Sequence, residues 1–229
     1  MSKEEYKAVR LIKRLNRFVA LIEVENEEKL AHIPNSGRMG ELLYPGAQVI
    51  VKKAGKKERK TCYDLLFAFD NGTMVAIDSR LPNNLLAEGL QGGMLPELGG
   101  YRHVKREPGW GNSRFDLLLQ EDGREDCLVE IKSVNLVKEG TALFPDAPTL
   151  RGRRHLDELA RAAGEGVRPA VFFLVMREDS YRVCPNDSLD PLFGKALRSA
   201  KEKGVEVLAR GCRLKGYRVE IDKPLPVIL

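Results

Sequence analysis

The sequence predicts a two-domain α+β protein. A small all-β domain fills residues 1–80, and a mixed sheet flanked by helices fills residues 81–229. Three observations predict it. Short apolar runs separated by turn residues fill the first 80 positions. Beyond Arg80 the pattern alternates between helix-like and strand-like segments. One of these, "AVFFLVM" at 170–176, is a continuous apolar run of the kind found in strands buried on both faces. A length of 229 residues leaves room for one large domain or two small ones.

In the first domain, strands are expected at "YKAVRLIKRL", "FVALIEV", "KLAHI", "AQVIVKKA", "CYDLLFAFD" and "TMVAIDSR". Asn26, Pro34-Asn35-Ser36-Gly37, Pro45-Gly46 and Asn71-Gly72 supply the turns between them. About five short strands in so few residues suit an OB-like β-barrel, a frequent platform for nucleic acid. A plain small β domain is the alternative.

The domain boundary falls near Arg80 to Asn83. "LPNNLLAEGLQ" then reads as a short helix, and "GGMLPELGG" breaks the chain. "YRHVKRE" is a strand, and "SRFDLLLQEDGREDCLVEIKSV" a β-hairpin turning at Asp122-Gly123. "LRGRRHLDELARAAG" is a helix with Leu156, Leu159, Ala160 and Ala163 at helical spacing. After the apolar strand come a shorter strand "SYRVCP", a helix "DPLFGKALRSAKEKG" ending at Gly204, and a strand "VEVLAR". The order α-β-β-β-α-β-β-α-β implies a mixed sheet with helices against it.

The hairpin carries the candidate chemistry. A three-residue loop, Asp122 to Arg124, sets Glu121 against Glu125 and Asp116 against Glu130. Lys132 then shares the face of Glu130, because side chains alternate along a strand. Two carboxylates opposed at roughly 4.5–5.5 Å between Cβ atoms repel. A divalent cation, Mg²⁺ or Mn²⁺, removes that repulsion and suits hard oxygen ligands. The lysine can then address a phosphate or a water. This set resembles the core of the PD-(D/E)xK metal-dependent nucleases. A two-residue loop would slip the register by one and break the arrangement. Solvated charges on a hairpin are the plain alternative. Glu88, on the helix before the strands, is a further candidate metal ligand, with Glu107 a weaker competitor.

Basic residues mark two further places. Arg151, Arg153 and Arg154 crowd the first turn of the helix at 150–163, where positive charge opposes the helix dipole. Capped by Thr149 or Asp146, that helix start forms an anion site, and phosphate is the obvious anion. His155 stands close enough to contact the same substrate. Pairing with Asp157 and Glu158 is the competing explanation. The run "VKKAGKKERK" contains Lys52, Lys53, Lys56, Lys57, Arg59 and Lys60. It bridges two strands of the first domain, as a backbone-gripping loop or as a solvated turn. Tyr44, Tyr63 and Phe67 are available either for base stacking or for core packing.

Composition bounds the rest. The net charge is +5, and residues 1–80 hold 15 Lys/Arg against 11 Asp/Glu. That surplus fits a polyanionic partner without requiring one. No apolar run approaches the ~20 residues of a membrane span. The N-terminal residues carry no apolar signal region. Cys62, Cys127, Cys184 and Cys212 lie far apart and read as reduced thiols of a cytoplasmic protein, neither zinc site nor disulfide framework. With His32, His103 and His155 alone, no histidine metal cluster is expected. No P-loop, G-x-G-x-x-G or G-x-S-x-G motif is present, so no nucleotide cofactor is expected.

Four blocks, "HIPNSGRMGELLYPG", "GNSRFDLLL", "LVEIKSVNL" and "FPDAPTLRGRRHLDEL", together resemble the sugar fermentation stimulation protein A family. They occur in order across both domains. The resemblance implies an N-terminal OB-like barrel and a C-terminal PD-(D/E)xK restriction-endonuclease-like domain. It also implies binding of double-stranded DNA with little sequence specificity and a regulatory role in sugar (maltose) metabolism. The nuclease pattern falls on Asp116, Glu130 and Lys132, with Glu88 as the helical acid. Pro148, within "FPDAPTLRG", departs from the pattern without touching these residues. Two alternatives to a DNA binder remain: an active Mg²⁺- or Mn²⁺-dependent nuclease, and an RNA- or protein-interaction module with a vestigial site. The sequence leaves the oligomeric state open, a homodimer included.

Overall fold

The computed structural model describes residues 6–55 and 59–229. The chain separates into two compact units. One comprises the residues through Arg80 together with Met176–Glu178, and the other Leu81–Val175 with Asp179–Leu229.

The first unit contains β1 (Tyr6–Arg14), β2 (Val19–Val24), β3 (Glu27–His32), β4 (Gln48–Lys53), β5 (Tyr63–Asp70) and β6 (Thr73–Ala76). They are ordered β3-β2-β1-β4-β5-β6, and a parallel pairing of β3 with β5 closes the first five into an OB-like barrel. Alternation along the strands fills its interior: Leu11, Ala20, Ile22, Ala31, Val49, Val51 and Leu65 are all fully buried. Register shifts between Leu11 and Lys13, and between Ile50 and Val51, add the local twist that short strands need to coil. β6 returns from β5 through Asn71 (φ 47°) and Gly72 (φ 83°), a turn whose twist matches the strands it joins.

Arginines brace this unit. Arg14 donates to the carbonyls of Asn16, Arg17, Gly37 and Arg38, which ties the β1–β2 turn to the loop after β3. The segment Met176–Glu178 joins the unit because Ala76 N–H donates to Met176 O at 3.0 Å and Arg177 binds Asp70 at 2.9 Å. Nothing in the sequence signals such a three-residue return of the chain.

The second unit begins with α1 (Leu81–Gln91), β7 (His103–Arg106), β8 (Gly109–Trp110), β9 (Ser113–Arg114), β10 (Leu117–Gln120) and β11 (Cys127–Val134). It continues with β12 (Val137–Lys138), β13 (Thr141–Phe144), α2 (Leu150–Ala163), β14 (Arg168–Val175) and β15 (Arg182–Pro185). α3 (Pro191–Glu202), β16 (Glu206–Lys215) and β17 (Arg218–Pro224) complete it. The main sheet runs β17-β16-β14-β11-β10-β7, with β11, β14 and β16 parallel and the outer pairings antiparallel. This is the mixed sheet the sequence predicts. Val171, Phe173 and Leu128 pack against Leu156, Leu159, Phe193 and Leu197 of α2 and α3 in one core. The alternate residues Val129, Phe172 and Leu174 are also fully buried, so the middle strands are covered on both faces.

Besides the short β8–β9 pair, two parts go beyond the expectation. β16 extends past Arg210 and returns through Gly216 (φ 61°) as β17. The strands β12, β13 and β15 form a small separate sheet.

The starts of α2 and α3 are locked together. Thr149 caps α2, its Oγ1 accepting from Gly152 N–H at 2.9 Å. Asp190 caps α3 through Phe193 N–H at 3.0 Å, and its second oxygen accepts from Thr149 N–H at 2.8 Å. Gly152 fits between the arginines because a Cβ there would lie 2.8 Å from Thr149 Cγ2 and 3.2 Å from the Phe193 ring.

Candidate metal and phosphate site

Strands β10 and β11 pair Leu117 with Val129, Leu118 with Leu128 and Leu119 with Cys127. One step further along the same register sets Asp116 opposite Glu130. The ladder stops at Leu119, so the connection is longer than the three-residue loop expected, yet its register is the same. Glu121 leaves the ladder and accepts from Arg102 N–H at 3.0 Å.

Asp116 is held from two sides. Its Oδ1 accepts from Asn83 Nδ2 of α1 at 2.7 Å, and its Oδ2 from Ile131 N–H of β11 at 2.7 Å. Glu130 is 5% exposed. Its Oε1 meets Lys132 Nζ at 2.6 Å and His155 Nδ1 at 2.5 Å, whereas its Oε2 is buried with no hydrogen-bond partner among the described residues. Arg151 Nε donates to His155 Nε2 at 3.3 Å. The accepting Nε2 therefore bears the lone pair, and Nδ1 bears the proton donated to Glu130. The chain Lys132–Glu130–His155–Arg151 runs from the strand to the start of α2.

The two carboxyls are driven apart. Burial, followed by the negative charge of Glu130, raises the Asp116 carboxyl above its usual range, against the bonds from Ile131 and Asn83. Burial also pushes Glu130 upward, but the His155 hydrogen bond and the Lys132 charge outweigh it and hold Glu130 below the usual range. A carboxylate pair with separated proton affinities inside one site is a common property of functional centres.

Of the residues anticipated from the sequence, Asp116, Glu130, Lys132, His155 and Arg151 come together. Glu88 does not join them through any hydrogen bond. It lies exposed on α1, and the residue of that helix bonded to Asp116 is Asn83. Spacing explains the substitution: Asn83 stands one turn from the buried Leu86, while Glu88 lies on the exposed side. Glu107 is exposed and bound to Arg114 at 2.7 Å.

His155 was expected to meet substrate. It is 1% exposed with both ring nitrogens engaged, and it supports Glu130 instead. Arg151, Arg153 and Arg154 pair with no carboxylate among the described residues, so the expected alternative of ion pairs with Asp157 and Glu158 is absent there. Arg153 is half-buried with its Nε unpartnered, and Arg154 is exposed.

In the lysine run, Lys52 lies 5.4 Å from the Tyr6 ring centroid and Lys53 is exposed, while Lys56 and Lys57 lie outside the described residues. Arg59 binds Asp64 at 2.8 Å. Tyr63 and Phe67 are core residues, and Tyr44 is 51% exposed.

Among the described residues, no group of three or more His, Cys, Asp or Glu side chains gathers as a metal cage. The donor set fits a hard cation of the Mg²⁺ type, which takes one or two carboxylates and completes its shell with water and phosphate. The unpartnered Oε2 of Glu130, in a carboxylate whose charge is felt by Asp116, is the observation that supports the fit.

Two family models match this chain. The sugar fermentation stimulation protein RE domain matches residues 80–217, and the SfsA N-terminal OB domain matches residues 12–77. The chain belongs to the sugar fermentation stimulation protein family. A homolog from Caldanaerobacter subterraneus subsp. tengcongensis is 43% identical over 220 residues, covering 96% of each chain. A Thermoanaerobacter homolog is 45% identical over 221 residues, again covering 96% of each. The solved structure of Pyrococcus furiosus SfsA in complex with Ca²⁺ superimposes with a TM-score of 0.90 at 33% identity, covering 100% of this chain and 98% of that one. No helix among the described residues is long and apolar enough to cross a membrane.

Proposed function

We propose that this member of the family is a cytoplasmic protein that binds double-stranded DNA with little sequence preference and carries a nuclease-type divalent-metal site. The observation that carries the proposal is the buried, unpartnered Oε2 of Glu130, in a carboxylate whose other oxygen holds Lys132 and whose charge is felt by Asp116. An ionised oxygen buried without a partner is costly, on the order of 1–3 kcal/mol or more, unless a ligand completes it. The Ca²⁺ complex of the Pyrococcus relative lends support. Asp116 and Glu130 would hold Mg²⁺ or Mn²⁺. Such a cation supplies charge for a phosphodiester oxygen and lowers the pKa of bound water.

The chain's own groups do the rest. Lys132 donates to Glu130 and keeps further N–H bonds for a phosphate oxygen. Arg151 and Arg154, at a capped helix start, attract the backbone phosphates. Lys52 and Lys53 on the barrel would add phosphate contacts. Contacts to phosphate position a duplex without reading bases. The regulatory role in sugar metabolism would act through this DNA contact.

Binding of unrelated duplexes, followed by fluorescence anisotropy, is expected to weaken by similar factors as salt rises. Salt-independent binding, or strong preference for one operator, would sink the proposal. A second reading, an active nuclease, is favoured by the intact Asp116, Glu130 and Lys132 set. Incubation with plasmid, single-stranded DNA and RNA, with and without Mn²⁺, tests it. Cleavage lost in Asp116→Asn and Lys132→Met would establish the enzyme, and no cleavage of any substrate would leave the binder.

A further inference from the structure

We propose that His155 is a positioning residue that couples the metal-facing carboxylate to the phosphate-facing arginine. Its Nδ1–H holds Oε1 of Glu130, so that Oε2 is the oxygen presented to a divalent cation. Its Nε2 takes the Nε–H of Arg151, so that the two Nη groups point away for a phosphate. The proposal rests on the metal and DNA functions proposed above.

The geometry is specific on both sides of the ring. Glu130 Oε1 receives two donors, His155 at 2.5 Å and Lys132 at 2.6 Å, and Oε2 receives none among the described residues. With Lys132 alone, the carboxylate could turn about its terminal torsion and offer the amine either oxygen, because that torsion is broad. A second donor fixed in the protein removes this freedom. The ring is fixed: it is 1% exposed and tilts against Phe115 at 5.4 Å between centroids. On the other side, Arg151 and His155 are four residues apart on α2 and share a face. The Nε–H of Arg151 is engaged at 3.3 Å, and its Nη groups have no partner among the described residues.

The two neighbours ask the ring for one donor and one acceptor. A proton on Nε2 would face the Arg151 donor, so only the Nδ1–H form satisfies both neighbours. Histidine is one of few side chains that can donate rigidly on one side and accept on the other. Lysine and arginine only donate, and a carboxylate would repel Glu130.

The test uses the full chain and three variants, with Mn²⁺ titration calorimetry and the salt dependence of duplex binding in chelator as separate readouts. His155→Leu keeps bulk but removes both bonds. It is expected to weaken Mn²⁺ binding by about 10–100-fold, the usual effect of losing a group that orients a metal ligand. It should also lower the log–log salt slope by about one, as for one lost phosphate contact. Arg151→Ala in the His155→Leu background should lower the slope no further. His155→Gln can donate and accept, and is expected to restore much of both properties.

His155→Asn keeps a donor near the Nδ1 position but is too short to reach Arg151. It should hold Mn²⁺ affinity while losing slope, and it replaces His155→Leu if that variant melts without cooperativity. Wild-type Mn²⁺ affinity in His155→Leu, or a His155→Gln as weak as His155→Leu, overturns the coupling while leaving the metal site standing. A wild-type chain that takes up no Mn²⁺ overturns the metal site and the coupling together.

Discussion

The barrel unit and the start of α2 use arginine in opposite ways, although elsewhere in the second unit Arg168 and Arg210 also close on acids. In the barrel unit Arg14 closes on four carbonyls, Arg59 on Asp64, Arg80 on Asp78 and Arg177 on Asp70. At the start of α2, Arg151, Arg153 and Arg154 find no carboxylate among the described residues, and their charge opposes the helix dipole. Guanidinium groups that brace backbone and acids have a structural role. Unpaired ones at a capped helix start raise the local energy unless an anion arrives. Basic residues alone therefore do not mark a polyanion surface; a missing carboxylate partner is the better reason to test for one.

The contrast can be broken experimentally, most severely at Arg177. It is 2% exposed and bound to Asp70. Arg177→Ala should cost about 3 kcal/mol in urea denaturation, because it leaves a part-buried carboxylate uncompensated. DNA affinity of the folded fraction should hold. Next comes the triple replacement of Arg151, Arg153 and Arg154 by alanine. Stability should stay level or rise, since each charge costs about 0.3–1 kcal/mol against the dipole. The salt slope of DNA binding should fall by up to about three. Loss of stability with no change in slope would reverse the assignment.

A smaller effect is expected at the acid pair. Asp116→Asn removes the repulsion from Glu130 and keeps an acceptor for Ile131. In chelator at neutral pH the melting temperature should rise by roughly 2–4 °C, the scale of 1 kcal/mol for a chain of this size. Mn²⁺ should raise the wild type and leave the variant unmoved.

The pH dependence of a structural ion pair gives a gentler test. Burial raises the Glu97 carboxyl, but bonds from Arg210 and its own backbone outweigh that and lower it overall. A lowered carboxyl contributes stability above its unfolded value, and that contribution disappears as pH falls through the folded value. Glu97→Gln should therefore cost stability at pH 7, by a few tenths of a kcal/mol to about 1 given partial exposure. The cost should shrink below roughly pH 4. The smallest change is one of reactivity. Burial pushes the Cys127 and Cys212 thiols up to about 12, while Cys62 is exposed. A thiol reagent at pH 8 should label Cys62 in the native protein and reach Cys127 and Cys212 only on unfolding.

Much of this was legible in the sequence. Alternation gave the barrel strands, and the apolar run at 170–176 gave the buried strand that became β14. The hairpin register was right although its loop was longer than supposed, since register depends on which residues face inward. The residues missed at the site were those whose signal is position. Asn83 is uncharged, and Glu88 drew attention because acids bind metals. Yet Asn83 shares the stripe of Leu86, as His155 shares that of Leu156 and Leu159. Polar side chains placed on a buried stripe must find polar partners, and that inference was available. The β16–β17 hairpin was missed for a different reason. Arg213, Lys215 and Arg218 give it a polar, half-exposed edge that mimics a loop.

One bond at the site reaches beyond ligand chemistry. The backbone pairing of β10 with β11 ends at Leu117, and the next contact between the two is made by the Asp116 side chain to Ile131 N–H. The carboxylate thus works as the last rung of the hairpin. Truncating it to alanine would confound loss of a charge at the site with fraying of β11 beside Glu130, so a variant that leaves the scaffold intact has to keep the oxygen and discard only the charge.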